Sequence, residues 1–298
     1  MTLFSVIRAL RPKQWTKNAI VLAAFLFALG DRHQAVPGMA IWLALQAVLW
    51  FCLASSAVYL VNDIRDIPFD RAHPTKRFRP IAAGELPVPA AWGLAAILLL
   101  AGLGGAWRQS HALAGVIGAY VALQAVYTFG LKKVALVDLF VIAAGFVLRA
   151  LAGAVAVNVA ISPWLLLCTL LLALFLALCK RRHEKVMLTP EPGGEGVTRE
   201  SLARYDERLL DQLIAIVSAA TVVCYALYTL WPDTVEKFGT ARLALTIPFV
   251  IFGLFRYLDL VYRHEKGDRP EQILLTDLPL LADLALYGLT VLLLLRFR

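Results

Sequence analysis

The chain has 298 residues, of which 60% are hydrophobic, and its mean hydropathy is +0.72. Average soluble domains are roughly 45–50% apolar, so this composition excludes an ordinary water-soluble globule. The formal net charge of +8 would suit a nucleic acid, but no soluble domain presents a basic patch, so we expect no nucleic-acid partner.

Long apolar blocks follow one another along the chain, and each approaches the roughly 20 residues that a helix needs to cross a bilayer. Lipid offers the backbone no water, so spanning segments are helices or a closed barrel, and continuous apolar runs exclude the barrel. The sequence therefore predicts an all-α, polytopic membrane protein with one domain over residues 1–298. We predict nine transmembrane helices, at 18–36, 39–61, 88–107, 111–129, 135–157, 161–179, 209–231, 241–262 and 277–296.

The Lys and Arg residues indicate how these spans are oriented. Most of the 29 lie at the N-terminus and in one set of connections, which includes 62–87, 180–208 and 263–276. Cytoplasmic connections carry an excess of Lys and Arg. We therefore expect a multi-pass protein of the inner (cytoplasmic) membrane, in contact with lipid. Its N-terminus and polar connections would be cytoplasmic and its C-terminus outside.

The stretch NDIRDIPFD (62–70) follows the second block and gathers three carboxylates. Asp63, Asp66 and Asp70 are separated by three and four residues, so on a helix they fall within about 60° of one another. Clustered carboxylates repel and need a cation. Mg²⁺ suits them because it completes its coordination shell with water and phosphate oxygens; Mn²⁺ is the alternative metal.

Cations follow these acids at once. Lys76, Arg77 and Arg79 precede PIAAGELP, and such side chains bind phosphate oxygens. Carboxylates, a metal ion and cations together can bind a diphosphate, which explains why charges of both signs are placed side by side. The alternative is a solvated loop in which the three acids pair with Arg65, Arg71 and Lys76.

These residues resemble a known family. NDIRDIPFD fits the pattern NDxxDxxxD of the UbiA superfamily of intramembrane prenyltransferases, and RPIAAGELP is similar to the segment that follows it there. The similarity is stronger to one branch, the polyprenyl-phosphate phosphoribosyltransferases. It includes RPKQWTKN (11–18), YTFGLKKVALVDLFVIAAGFVLRALAG (127–153) and KRRHE (180–184).

The resemblance implies a UbiA-like bundle with a polar cavity that faces the cytoplasm. It implies a magnesium-dependent enzyme that transfers 5-phosphoribose from phosphoribosyl diphosphate to a polyprenyl (decaprenyl-like) phosphate and releases diphosphate. Such a reaction supplies an arabinan precursor for cell-wall biosynthesis. By this resemblance Asp63, Asp66 and Asp70 are catalytic, and together with Asn62 they hold the metal-bound diphosphate of the donor.

One segment departs from the wider superfamily. Prenyltransferases usually carry a second aspartate-rich motif after the sixth span, but here Lys180, Arg181 and Arg182 stand against a single acid, Glu184. A cationic site for the acceptor phosphate fits this segment better than a second metal site. The alternative is that these cations only mark the cytoplasmic side.

Other polar residues are candidates for substrate binding. Asp138 and Arg149 lie eleven residues apart, about three helical turns, so they share a face of one span. Charges within a span normally face a polar interior, so we expect both to line a cavity, with a buried structural pair as the alternative. The further candidates flank predicted spans, where interfacial anchoring or topology is the alternative: Lys17, Tyr127, Lys132 and Lys133.

Two other functions stay open. A conventional UbiA-type prenyltransferase would use a prenyl diphosphate as donor, although the KRRHE segment argues against it. A transporter that carries phosphorylated lipids without chemistry would also need many spans and intramembrane charges. Such a transporter does not require a carboxylate cluster that binds a metal.

Overall fold

The structure, a computed structural model, describes residues 2–33, 38–160, 162–187, 205–263, 273 and 276–297, and its regular elements there are all helical. The α-helices are α1 Leu3–Ala9, α2 Ala23–Gly30, α3 Ala40–Arg65, α4 Ile67–Ala72, α5 Val88–Gln109, α6 His111–Phe129, α7 Val137–Val157, α8 Pro163–Met187, α9 Glu207–Leu230, α10 Pro232–Phe238, α11 Ile247–Arg263 and α12 Leu278–Arg296. Shorter 3₁₀ segments occupy Pro12–Leu22, Lys76–Phe78, Leu131–Lys133 and Arg242–Thr246.

Eight helices within the described residues are long and apolar enough to cross a membrane, so the protein is an integral, multi-pass membrane protein. They correspond to eight of the nine predicted spans, and the block predicted at 111–129 coincides with α6. The first predicted span, 18–36, is different. The 3₁₀ segment Pro12–Leu22 runs into the short helix α2, which ends at Gly30, and residues 34–37 lie outside the described part.

Helix α7 connects two apolar clusters of the bundle. Its first half contributes Leu139 and Ala143 to a cluster that it shares with α8, α9 and α11. Its second half contributes Ala152 and Ala156 to a cluster with α3 and α6. Because α7 packs into both clusters, its neighbours fix its position, and the polar side chains that it carries are fixed with it.

The first segment of the chain lies directly against α7 at a glycine. A Cβ atom added to Gly153 would come within 1.8 Å of the carbonyl oxygen of Val21. Small residues permit such close approach between transmembrane segments. The absence of a side chain at Gly153 therefore sets the position of the 3₁₀ segment Pro12–Leu22, which carries Lys17.

We expect Gly153→Ala to destabilise the protein, because the backbone of the first segment has to move away from α7. Overpacking of this kind costs about 1–3 kcal/mol of the free energy of unfolding. The matched control is Gly115→Ala on α6, where an added Cβ meets nothing within 4 Å. Thermal unfolding of both variants in detergent tests this, and equal midpoints would contradict it.

Candidate functional site

The residues of the predicted carboxylate cluster lie where α3 gives way to α4. Asn62 and Asp63 lie in the last turn of α3, Asp66 joins the two helices, and Asp70 lies within α4. Pro68 is compatible with the first turn of α4, where its missing N–H is not needed. Asp63 and Asp70 are only 4% and 3% exposed. We call this side of the bundle the polar end.

Each of the three carboxylates is paired with a cation. Arg11 donates from Nε to Asp63 at 3.2 Å and from Nη2 to the other oxygen of the same carboxylate. Lys132 Nζ lies 2.6 Å from an oxygen of Asp66. These partners differ from those of the solvated-loop alternative, since they come from segments far along the chain.

Arg79 joins two of the acids. Its Nη1 lies 2.7 Å from Asp70 and 3.3 Å from Asp63. Arg77, two residues earlier, is exposed and its guanidinium lies over the ring of Phe78 at 4.8 Å. The structure therefore brings Arg79 to the carboxylates and places Arg77 on the surface.

Arg11 is a site residue that the sequence interpretation missed. Its backbone is left-handed, with φ 54° and ψ 57°, a conformation that costs a non-glycine residue of order 1–3 kcal/mol. The paired hydrogen bonds to Asp63 and the ring of Tyr59, 5.4 Å from the guanidinium, accompany this strain. No signal in the sequence pointed to this contact, because a residue that precedes proline usually has an extended backbone.

The donor set of this cluster fits a hard divalent cation. Its oxygens come from three carboxylates and from the amide of Asn62, which accepts a hydrogen bond from Thr128 Oγ1 at 3.0 Å. Within the described residues, no three Asp, Glu, His or Cys side chains converge as a ready-made metal cage. A metal that takes few protein ligands and completes its shell with water and phosphate oxygens, such as Mg²⁺, suits this arrangement.

Arg149 lies in the middle of α7 and has no ion pair with any residue that the structure describes. It donates to Asn18 Oδ1 at 2.8 Å, to the carbonyl of Gly145 at 2.9 Å and to the hydroxyl of Tyr120 at 3.1 Å. The rings of Phe51, Tyr120 and Phe146 lie within 4.8–5.2 Å of its guanidinium. This buried cation is thus held by neutral dipoles and aromatic faces, and it ties α7 to the first segment.

Asp138, at the start of α7, does not pair with Arg149. It is fully buried, and its Oδ2 accepts two hydrogen bonds from Arg181 on α8, at 3.0 and 2.7 Å. Arg181 also bonds Glu184 at 2.5 Å. The buried-pair alternative therefore had the wrong partner for Asp138, and a binding role for either residue stays a prediction.

Tyr205 completes this buried group. Its hydroxyl donates to Asp138 Oδ1 at 2.7 Å and accepts from the backbone N–H of Leu136 at 2.6 Å. Burial and the bond to the carboxylate raise the pKa of Tyr205, so it keeps the proton that it donates. Leu136 itself has φ 68°, and the Tyr205 hydroxyl helps to hold that turn.

The cations of KRRHE do not converge on one point. Arg182 bonds Asp211 of α9 at 2.6 Å and lies 3.8 Å from the ring centre of Tyr262, whereas Arg181 faces α7. Lys180 is half-buried on α8. The other sequence candidates are placed as follows: Lys17 and Lys76 are half-buried, Tyr127 is buried and Lys133 is exposed.

Removing one partner of the buried Asp138–Arg181 pair should destabilise the protein strongly. An uncompensated buried charge costs about 3–5 kcal/mol, whereas an apolar pair of similar volume is often neutral. We expect Arg181→Met, which leaves the fully buried Asp138 without a cation, to lose this amount, and the double variant Asp138→Leu with Arg181→Met to recover part of it. Denaturant titration in detergent measures both.

The control for this test is Arg263→Ala, which breaks a 3.5 Å pair with Asp259 and removes a side chain that is 80% exposed. Exposed pairs contribute about 0–1 kcal/mol. A single variant Arg181→Met as stable as Arg263→Ala would show that the buried pair does not hold α7 to α8.

Comparison of the sequence with known proteins shows which proteins the chain resembles. The model of the UbiA prenyltransferase family matches residues 18–184. The chain is 39% identical over 279 residues to a decaprenyl-phosphate phosphoribosyltransferase of Mycolicibacterium smegmatis, covering 91% of this chain and 86% of the relative. It is 40% identical over 274 residues to the Mycobacterium tuberculosis protein of the same name, covering 91% and 88%.

The fold also matches a solved structure. A UbiA homolog from Archaeoglobus fulgidus, solved with GPP and Mg²⁺, superposes with a TM-score of 0.70 over 98% of this chain and 97% of that one. The sequence identity is 18%, so this likeness concerns the fold.

Proposed function

Because the chain belongs to the UbiA prenyltransferase family, we propose that it transfers 5-phosphoribose from phosphoribosyl diphosphate to a polyprenyl phosphate and releases diphosphate. The observation that carries this proposal is the similarity of about 40% to proteins named decaprenyl-phosphate phosphoribosyltransferase over 91% of the chain. The acids and cations at the polar end supply the charges that a metal-bound diphosphate requires.

The donor diphosphate would bind at the carboxylates. Asp63, Asp66 and Asp70, with Asn62, supply the oxygens that would hold Mg²⁺. When bound, Mg²⁺ would stabilise the negative charge that develops on the departing diphosphate. The solved relative with GPP and Mg²⁺ supports a divalent cofactor.

The cations of the cluster have a second task in this reaction. Arg11, Arg79 and Lys132 pair with the carboxylates, so they are already close to the place where phosphate oxygens would arrive. A metal bound by the acids would free them to hold those oxygens. Cations placed where charge develops lower the barrier for its development.

The acceptor needs no strong general base. A phosphate monoester is already ionised at neutral pH, so its oxygen can attack the anomeric carbon of ribose directly. The role of the protein is to bring the donor diphosphate and the acceptor phosphate together despite the repulsion between these two anions. We further propose that the polar end is cytoplasmic, because most Lys and Arg residues lie in the connections predicted on that side.

The proposal is tested with purified protein, Mg²⁺, labelled phosphoribosyl diphosphate and a polyprenyl phosphate, followed by extraction of the lipid. Label in the lipid supports the transfer. Transfer of a prenyl group from a prenyl diphosphate, without label from phosphoribosyl diphosphate, would instead indicate the conventional prenyltransferase.

Asp66→Asn should remove most turnover while leaving the fold intact. Its side chain is 18% exposed, and the amide oxygen of an asparagine can still accept a hydrogen bond from Lys132, so the substitution removes charge and keeps a polar partner for that lysine. Loss of a charge-stabilising group costs on the order of 10²–10³ in rate, and we expect the same of Asp63→Asn. Asp211→Asn, a half-exposed acid on α9, is the control. Near-normal turnover of both cluster variants at low Mg²⁺ would contradict the metal assignment.

Arg79→Ala should weaken donor binding more than Arg77→Ala does. Arg79 contacts two acids of the cluster, whereas Arg77 stacks on Phe78 at the surface. A charged hydrogen bond contributes roughly 1.5–3 kcal/mol, or about 10–150-fold in affinity. Calorimetric titration with phosphoribosyl diphosphate and Mg²⁺ measures both. Equal losses would mean that only the total charge of this segment matters.

A further inference from the structure

An apolar groove lies between α3, α5 and α6. Its volume is about 300 Å³ and its lining is almost entirely apolar. Small side chains such as Ala57 and Ala96 line it, together with the rings of Trp92 and Phe129, which are 49% and 58% exposed. The groove is therefore open to the surface of three spanning helices, where an apolar chain from the bilayer can enter.

One end of this groove touches the carboxylate cluster. Thr128 lines the groove, and its hydroxyl donates to the Asn62 amide oxygen at 3.0 Å. Asn62 is the first residue of the NDIRDIPFD stretch and precedes Asp63. A chain in the groove would thus have its polar head beside the proposed donor site.

A cation, Arg65, lies at the end of the groove that contains Thr128. The guanidinium of Arg65 lies 4.5 Å from the ring centre of Phe129, which also lines the groove. Arg11, Arg79 and Lys132 are each paired with an acid, but exposed Arg65 has no ion pair with any described residue. Its planar fork is suited to phosphate oxygens.

We propose that this groove holds the polyprenyl chain of the acceptor and that Arg65 binds the acceptor phosphate; this inference rests on the proposed function. The attacking phosphate has to reach the ribose of a donor held at Asp63 and its neighbours, and the Thr128–Asn62 contact places one end of the groove beside that segment. An ordinary membrane phospholipid offers similar chemistry, but nothing requires its phosphate to lie beside the donor.

This assignment differs from the one that the sequence favoured for the acceptor. Arg181 and Arg182 already have carboxylate partners, on α7 and α9 respectively. To bind a lipid phosphate, each of these arginines would have to break its ion pair with a carboxylate. Arg65 has no such partner to leave within the described structure.

The first arm of the test removes the phosphate contact. Arg65→Ala should raise the KM for polyprenyl phosphate by about 10–150-fold, the range for a lost charged hydrogen bond, while the affinity for phosphoribosyl diphosphate stays the same. Arg65→Lys should recover part of the loss. Arg263→Ala, which removes an exposed cation from α11, should leave both constants unchanged.

The second arm fills the groove. Ala96→Phe places a ring among the lining residues and should raise the KM for polyprenyl phosphate several-fold, while the KM for phosphoribosyl diphosphate stays the same. Ala122→Phe is the matched control, because Ala122 is exposed on α6 and does not line the groove. It should leave both KM values unchanged.

The two hypotheses fail in different ways. Wild-type protein that transfers no phosphoribose to lipid would overturn both. Normal transfer with an unchanged lipid KM in Arg65→Ala and Ala96→Phe would overturn the groove assignment and leave the proposed function standing. The assignment is also overturned if Arg65→Ala weakens binding of phosphatidylglycerol to the detergent-solubilised protein but leaves the KM for polyprenyl phosphate unchanged.

Discussion

Carboxylates that are removed from water need cations within hydrogen-bonding distance, and the architecture of the polar end follows from that requirement. Asp63 is paired with Arg11, 52 residues earlier, and Asp66 with Lys132, 66 residues later. Arg79 returns from the following loop to the same point. The start of the first segment, the end of α3 and the α6–α7 connection are therefore tied together by ion pairs as well as by apolar packing.

The two charged groups of the molecule differ in how easily their partners can be exchanged. At the α3–α4 junction the acids are held by side chains that are 15–29% exposed, so an incoming metal and polyanion could take their places without leaving a charge unpaired. Asp138 and Arg181 are 0% and 3% exposed, and separating them would leave the buried carboxylate of Asp138 without a cation. The first group is suited to reversible binding of a ligand, whereas the second is suited to a fixed structural contact between α7 and α8.

Much of this could be predicted from the sequence, for identifiable reasons. Span length and apolar composition predicted eight helices closely, because lipid imposes both. The proximity of Asp63 and Asp70, which share Arg79, followed from helical spacing even though the helix breaks at Asp66. The partners could not be predicted, since Arg11 and Lys132 reach the acids only through tertiary packing, and periodicity carries no information about contacts more than 50 residues apart.

The same limit explains the misassigned partner of Asp138. Helical spacing correctly placed Asp138 and Arg149 on a shared face, but each found a nearer partner on another segment. Arg182 and Arg181 are adjacent in sequence yet face α9 and α7, because successive helical residues point about 100° apart. A run of cations on a helix is therefore divided among neighbours, while the same run in a loop could act together.

The partners of α7 also bear on the order in which the chain enters the membrane. Arg149 meets Asn18 and Tyr120, which are synthesised before it, whereas Asp138 meets Arg181, which is synthesised after it. A charge that faces lipid alone at the centre of a helix costs about 2.5–3.5 kcal/mol on insertion scales. Arg149 can thus pack against segments that are already in the membrane when α7 enters. Asp138, at the start of α7, obtains its cation only when α8 has followed. The two helices would enter most easily as one hairpin, and a long pause in translation between them would leave Asp138 without its cation, Arg181.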